Sequence, residues 1–294
     1  MIVIFGGSGQ LGSSLLAIAK LRNKTDIISL SSQDCDITKI DDIKKAIEQY
    51  KPSFIINCAA YTDVNSAESD KERCYAINSD GAKNIALLCA EFNIKLVHTS
   101  TTYVFDGEKE GLYLEQDKPN PQSVYGKSKY EGELNVIKEA KTVIILRTNF
   151  LYSHFELKKN IFITFYNLLK TKPEIKVVED VFGSFCYAID FVETIFDILP
   201  QIKENTKEIY HFANQGVVSP FEFASEIASL INSKTNIIPL LAQDYVQPAP
   251  RPKFSALDCR KIEKDFNIKI KPWKESLEQC IIKKIELELL EKTK

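Results

Sequence analysis

The sequence predicts an α/β protein built on a doubly wound parallel sheet, with a smaller mixed α/β lobe. Three observations carry this. Short β-branched apolar runs alternate with amphipathic stretches through the first half, the pattern of βαβ units around a sheet covered on both faces. A glycine-rich segment separates the first apolar run from the first amphipathic stretch. Beyond Thr148 the alternation loosens, as expected of a lobe laid over the sheet's carboxyl edge.

The elements follow in order. Ile2, Val3, Ile4 and Phe5 read as a buried strand, residues 11–20 as a helix and residues 26–30 as the next strand. Thr38 and Asp41 suggest a capping box, after which Ile40, Ile43 and Ile47 recur at helical spacing. Residues 53–57 form strand three, 71–92 a long helix and 95–99 strand four. A loop with Asp106-Gly107 and several prolines leads to a helix at 123–140 and strand five at 142–147. Right-handed crossovers between these strands wind the sheet in both directions. Later come a helix at 161–170, a strand at 175–178, a helix at 188–199 and a strand at 209–213. Ser219-Pro220-Phe221-Glu222 supplies an N-cap, a proline at N1 and an acid at N3, so a helix should start there. Residues 237–240 suggest a strand, the proline-rich 247–254 a loop and 272–290 a terminal helix. Residues 1–150 are expected to form a dinucleotide-binding unit with a return near 175–205, and 151–294 a discontinuous substrate lobe.

Composition excludes several function classes. A formal net charge of −2 provides no basic field for nucleic acid or an anionic membrane. Lys158-Lys159 reads as a solvated helix face. No apolar run approaches a membrane span, and the chain opens directly on a strand, so a cytoplasmic protein is expected. Seven scattered cysteines without a C-x-x-C pair fit a reducing compartment. His98, His154 and His211 show no metal-ligand spacing and are expected to be structural; no metal site is expected. The terminal helix has an apolar side (Ile281, Ile282, Ile285, Leu287, Leu289, Leu290) that could pack internally or against a second subunit, as in a homodimer.

Four of the 11 glycines fall in the first 12 residues, within Phe5-Gly6-Gly7-Ser8-Gly9-Gln10-Leu11-Gly12. At a strand-to-helix junction, Gly6 permits a tight turn, Gly9 lets backbone approach a pyrophosphate, and Gly12 lets the helix pack closely. The helix N-terminus then stabilises phosphate charge, which points to a nicotinamide dinucleotide. The second strand runs into Leu30-Ser31-Ser32, with neither acid nor arginine immediately there; Asp34 and Asp36 follow. Either NADH or NADPH fits, with NADPH slightly favoured.

Tyr125 and Lys129 stand four residues apart, on one helix face. A phenol of ordinary pKa about 10 is a poor proton donor near neutrality. A nearby cation is expected to lower that value, so that Tyr125 protonates a carbonyl oxygen while hydride reaches the carbon. Ser100-Thr101-Thr102, directly after strand four, could hydrogen-bond the same oxygen.

These residues resemble the extended short-chain dehydrogenase/reductases and, within them, the dTDP-4-dehydrorhamnose reductase family. The likeness runs through Asn57-Cys58-Ala59-Ala60-Tyr61-Thr62, Ala67-Glu68-Ser69, His98 to Gly107, Val124 to Lys129, Leu146-Arg147-Thr148, Val178 to Ser184 and Pro248-Ala249-Pro250-Arg251-Pro252. It implies a Rossmann-like fold and reduction of a nucleoside-diphosphate 4-keto-6-deoxysugar by NAD(P)H, for a deoxysugar of a surface polysaccharide. By resemblance, Thr101 polarises the C4 carbonyl, Tyr125 protonates the alkoxide, and Lys129 tunes the tyrosine and holds the nicotinamide ribose. Gly6, Gly9, Gln10, Leu11, Gly12, Asp36, Ile37, Ala59, Ala60 and Thr62 are expected at the cofactor. Thr102, Val104, Phe105, Phe150 and Arg251 are expected with Thr101 at the substrate, Arg251 near its diphosphate. Four departures from the family pattern, at Thr102, Asn149-Phe150, Val64-Asn65-Ser66 and Phe185-Cys186, are expected where substrate is read. Two other readings fit the residues: a nucleotide-sugar epimerase, and a non-catalytic regulatory subunit resembling that of methionine adenosyltransferase.

Overall fold

Ile2, Val3, Ile4 and Phe5 form β1 (Ile2–Phe5), buried along its whole length. Ile2 and Ile4 point into the core on one face, Val3 and Phe5 into the core on the other. That alternation explains why all four had to be apolar: successive side chains of a strand leave by opposite faces, and both faces here are covered. In the computed structural model, which describes residues 1–155 and 160–292, β1 lies beside β2 (Ile27–Leu30) and β3 (Phe54–Asn57). Next to β3 come β4 (Lys95–Thr101), β5 (Val143–Thr148) and, at the edge, the strand Lys207–His211. All five pairings of this six-stranded sheet are parallel. The Lys158-Lys159 pair lies outside the described residues.

The chain runs from β1 to β2 on one side and then to β3 on the other, so the winding reverses between β1 and β3. Ligands of open α/β sheets bind in the crevice beyond the carboxyl ends of the strands at such a point. One face of the sheet is covered by α1 (Gln10–Leu21) and the helix Ala188–Ile198. The other carries the helices Ile40–Tyr50, Ala82–Glu91 and Val124–Glu139. A separate aromatic cluster, including Tyr152, Phe162, Phe185, Tyr187 and Phe223, gathers the helices Ile161–Thr171, Pro220–Leu230 and Trp273–Lys292. It also takes in the parallel pair Glu174–Val178 and Asn236–Leu240.

Most expected elements occur within a residue or two, but three readings change. The long helix at 71–92 is interrupted: Lys71–Tyr75 and Ala82–Glu91 flank a π-helical segment, Ala76–Gly81. The Thr38 capping box does not form. Lys39 is the N-cap of Ile40–Tyr50 without a side-chain bond, because the Thr38 backbone and hydroxyl both donate to Asp36 instead. The edge strand begins at Lys207 and ends at His211, so Phe212 and Ala213 lie beyond it. The box at Ser219 does form, with Ser219 and Glu222 bonded reciprocally. On the terminal helix, Leu277, Cys280 and Ile281 are buried, whereas Ile282, Ile285, Leu289 and Leu290 are exposed. No helix among the described residues is long and apolar enough to cross a membrane.

Candidate active site

The glycine turn sits against the end of β3. Gly6 has φ +79°, and a Cβ there would lie 2.5 Å from the Ala59 nitrogen, so any side chain would be both strained and in collision. Gly9 is the N-cap of α1, and no side chain caps that helix. The first-turn N–H groups, with their partial positive charge, are therefore left for a ligand. A Cβ at Gly12 would meet the Gly6 carbonyl oxygen at 2.5 Å, which keeps helix and turn in close contact. A turn whose Gly6, Gly9 and Gly12 leave the backbone bare under an uncapped helix end fits the diphosphate of a dinucleotide.

The turn opens into a cleft of about 830 Å³. Of the residues expected at the cofactor, Gly6, Gly9, Gln10, Leu11, Asp36, Ile37, Ala59, Ala60, Thr62, Tyr125 and Lys129 all line it. Gln10 also donates to the Leu151 carbonyl at 3.3 Å, tying the start of α1 to the opposite wall. The acids after β2 turn inward on their own loops. Asp34 accepts from the Ser31 backbone and hydroxyl at 2.8 and 2.6 Å, and Asp36 accepts from Thr38. Those bonds hold both carboxyls below their usual range.

Ser123 caps the helix Val124–Glu139 by accepting from the Gly126 backbone at 3.0 Å. Lys129, one turn beyond Tyr125, is 2% exposed and donates to the Thr99 carbonyl at the end of β4, 2.7 Å away. Burial pulls its amine down to about 8, with Glu133 acting in the opposite direction. Burial likewise pushes the Tyr125 phenol above its usual range, while the Thr101 hydroxyl beside it opposes. The expected lowering of the phenol by Lys129 does not emerge: desolvation dominates, the opposing group is the Thr101 hydroxyl, and Tyr125 keeps its proton. In the reducing direction a protonated phenol is the form required.

Asn78, in the π-helical segment, escaped the sequence reading. Its amide oxygen accepts from the Tyr61 backbone at 2.8 Å, and its nitrogen donates to the Tyr61 carbonyl and to Ser128 Oγ at 3.1 and 3.0 Å. It therefore joins the loop after β3 to the helix of Tyr125 and Lys129. An asparagine within a helical pattern, where its propensity is poor, was the available signal.

The outer wall is built differently. Arg251, in the proline-rich loop, donates to Tyr103 Oη at 2.6 Å, to Gln247 Oε1 at 2.6 Å and to Asn65 Oδ1 at 3.3 Å. The Tyr103 ring meets Tyr125 edge to face, with centroids 5.5 Å apart. Tyr103 was not singled out from the sequence, and Asn65 only as part of a departure from the family pattern, because the approach of residue 251 to residues 65 and 103 exists only in the fold. Phe150 lines the cleft with φ +33°, left-handed backbone for a bulky residue, and stacks on Phe185 with centroids 4.6 Å apart.

Three expected substrate residues do not reach the cleft. Thr102, Val104 and Phe105 are buried, because the 3₁₀ turn Thr102–Val104 sends those side chains into the core and leaves Thr101 and Tyr103 facing outward. The departures from the family pattern divide in the same way. Asn149, Phe150 and Val64 line the cleft and Asn65 holds Arg251, but Thr102 and the Phe185-Cys186 pair are buried away from it. The change at Thr102 therefore takes no side chain off the cleft wall. Among the described residues, no cluster of His, Cys, Asp or Glu is arranged to hold a metal ion.

A phosphate-cradling turn at a sheet reversal, facing a Tyr/Lys pair on the helix between β4 and β5, defines the dinucleotide-dependent short-chain dehydrogenase/reductase class. Residues 1–285 match the family described as the RmlD substrate binding domain, and the chain belongs to that family. It is 35% identical to a dTDP-4-dehydrorhamnose reductase of Aggregatibacter actinomycetemcomitans, over 94% of this chain and 96% of the relative. It is 32% identical to the spore coat polysaccharide biosynthesis protein SpsK of Bacillus subtilis, over 95% and 96%. Among solved structures, the dTDP-4-dehydrorhamnose reductase of Bacillus anthracis in complex with NADP superposes with a TM-score of 0.91 at 34% identity, covering 96% and 98% of the two chains.

Proposed function

We propose that this protein is an NAD(P)H-dependent oxidoreductase that reduces the C4 keto group of a nucleoside-diphosphate 4-keto-6-deoxysugar, in deoxysugar and surface polysaccharide biosynthesis. The observation that carries the reading is the convergence of the glycine turn, Thr101, Tyr125 and Lys129 on one cleft. Relatives named as dTDP-4-dehydrorhamnose reductases at 34–35% identity, one solved with NADP, support it.

The turn at Gly6 and Gly9 and the start of α1 would hold the dinucleotide diphosphate, with Ala59, Ala60 and Thr62 lining the cofactor and Asp36 and Ile37 near its adenine. Reduced nicotinamide, when bound, supplies the hydride. Thr101 donates its hydroxyl hydrogen to the substrate carbonyl oxygen and orients it. Tyr125 passes its phenolic proton to the same oxygen as negative charge develops there; its raised proton affinity keeps that proton available until the charge arrives. Lys129, held by Thr99, stabilises the tyrosinate left behind. Arg251 pairs with the sugar diphosphate, for which a planar guanidinium is well suited. Burial of Tyr125 and Lys129 excludes water from the transfer.

The test is oxidation of NADPH and of NADH, followed at the reduced nicotinamide absorbance, against a panel of nucleoside-diphosphate 4-keto-6-deoxysugars. Stoichiometric oxidation with one member is expected. Interconversion of sugars without net oxidation would overturn the reductase reading in favour of an epimerase.

A further inference from the structure

We infer that the buried Glu133–Arg147 ion pair is a positioning device for the Tyr125/Lys129 site, fixing the helix that carries both and presenting a negative charge to the Lys129 ammonium. The inference rests on the proposed roles of Tyr125 and Lys129.

The geometry comes first. Tyr125, Lys129 and Glu133 follow one another at four-residue intervals and share one stripe of the helix Val124–Glu139. Glu133 receives a two-pronged bond from Arg147 of β5, Nε to Oε1 at 2.9 Å and Nη2 to Oε2 at 2.6 Å. Both side chains are 1% exposed. The guanidinium also lies over the Phe105 ring, 5.2 Å from its centroid, so its position is set from a second side. One turn earlier, Lys129 is bonded to the Thr99 carbonyl of β4. Because Arg147 pairs with Ser100 across the sheet, the two anchors land on neighbouring strands almost side by side. The helix cannot slide or roll without breaking one of them, and Tyr125 is carried on the same rigid body.

Anchoring alone does not explain why the pair is charged. Apolar side chains of similar volume would pack this interface as well or better, since burying two charges costs much of what their attraction returns. What they would lack is a field at Lys129. The groups around that amine are Tyr125 and Glu133 on its own helix, Cys58 just past β3, Cys74 of Lys71–Tyr75, and His98 of β4. Burial pushes the Cys58 thiol up to about 12, raises those of Cys74 and of the Tyr125 phenol, and holds His98 well below its ordinary range. All four are neutral near pH 7. Among these groups Glu133, its carboxylate paired with the Arg147 guanidinium on the side of β5, is left as the negatively charged one, opposing the burial that draws Lys129 down to about 8. Without its carboxylate the ammonium would lose its proton nearer to neutrality, and with it the charge that steadies the tyrosinate.

The direct measurement is an NMR titration of the Lys129 side chain in protein free of dinucleotide, with ¹³C-labelled lysine and Lys129→Arg to identify the signal. The parent should titrate near 8. In the double variant Glu133→Leu with Arg147→Met the midpoint should fall by about one unit, a tenfold change in the protonation equilibrium. Glu133→Asp, which keeps the charge, should leave it in place, and Glu133→Gln should lower it, so the comparison survives if the double variant does not fold. The upper limb of kcat/KM against pH should move with the midpoint, lowering the rate about threefold at pH 7.5 and much less at pH 6.5. A folded charge-free variant whose Lys129 midpoint has not moved overturns the inference, as does a moved midpoint with an unmoved limb. A parent that oxidises no reduced nicotinamide with any keto sugar would sink the functional reading while leaving the titration intact, so the two failures are distinguishable.

Discussion

The two walls of the cleft solve different problems. On the inner wall, Gly6, Tyr125 and Lys129 are enclosed, each held by backbone or by a buried partner. On the outer wall, Arg251 is exposed and spends its donors on Tyr103, Gln247 and Asn65, partners that a diphosphate could replace. Chemistry needs groups whose proton affinities are set by desolvation, and desolvation requires burial. Recognition needs groups that can exchange one hydrogen-bond partner for another at small cost, which an exposed guanidinium can do. The contrast predicts that changes on the inner wall alter turnover or cofactor binding, whereas changes on the outer wall alter substrate affinity.

The largest effect is expected at Tyr125. Tyr125→Phe removes the proposed proton donor and should lower kcat by about 100- to 10,000-fold, while dinucleotide affinity measured by fluorescence titration stays near that of the parent. Turnover at the parental rate would take the phenol out of the mechanism. Gly6→Val comes next. Left-handed backbone strain and collision with Ala59 should each cost about 1–3 kcal/mol. Calorimetry should show a lower melting temperature and no dinucleotide binding; normal binding would refute the cradle. On the outer wall, Arg251→Met should raise KM by about 10- to 100-fold, the worth of charge-assisted bonds to a diphosphate, with kcat nearly unchanged. An equal loss in kcat would erase the proposed difference between the walls. The smallest effect serves as a control: Ser219→Ala breaks a reciprocal cap that does not line the cleft and should cost about 1 kcal/mol of stability without altering either kinetic constant.

Legibility in the sequence follows the same division. Strands such as β1 and the glycine turn were readable because their signals are local: the two-residue alternation of a doubly covered strand, and residues without side chains at a strand-to-helix junction. Tyr125 and Lys129 were readable because four residues make one helical turn. The Thr38 box misled, since Asp36 offered the threonine a closer partner than the helix did. Thr102, Val104 and Phe105 misled because a motif read along the chain does not say which of its residues a 3₁₀ turn will bury.

From the sequence alone came the α/β class, the glycine turn, the Tyr/Lys pair and the family, all carried by contiguous residues and regular spacing. Tertiary structure decided which side chains face the cleft, that Arg251 meets Tyr103 across 148 positions, and that Glu133 and Arg147 are sealed together beneath Lys129. It also reversed the expected effect on the Tyr125 phenol. Desolvation and pairing depend on everything packed around a group, and most of those neighbours lie far away along the chain.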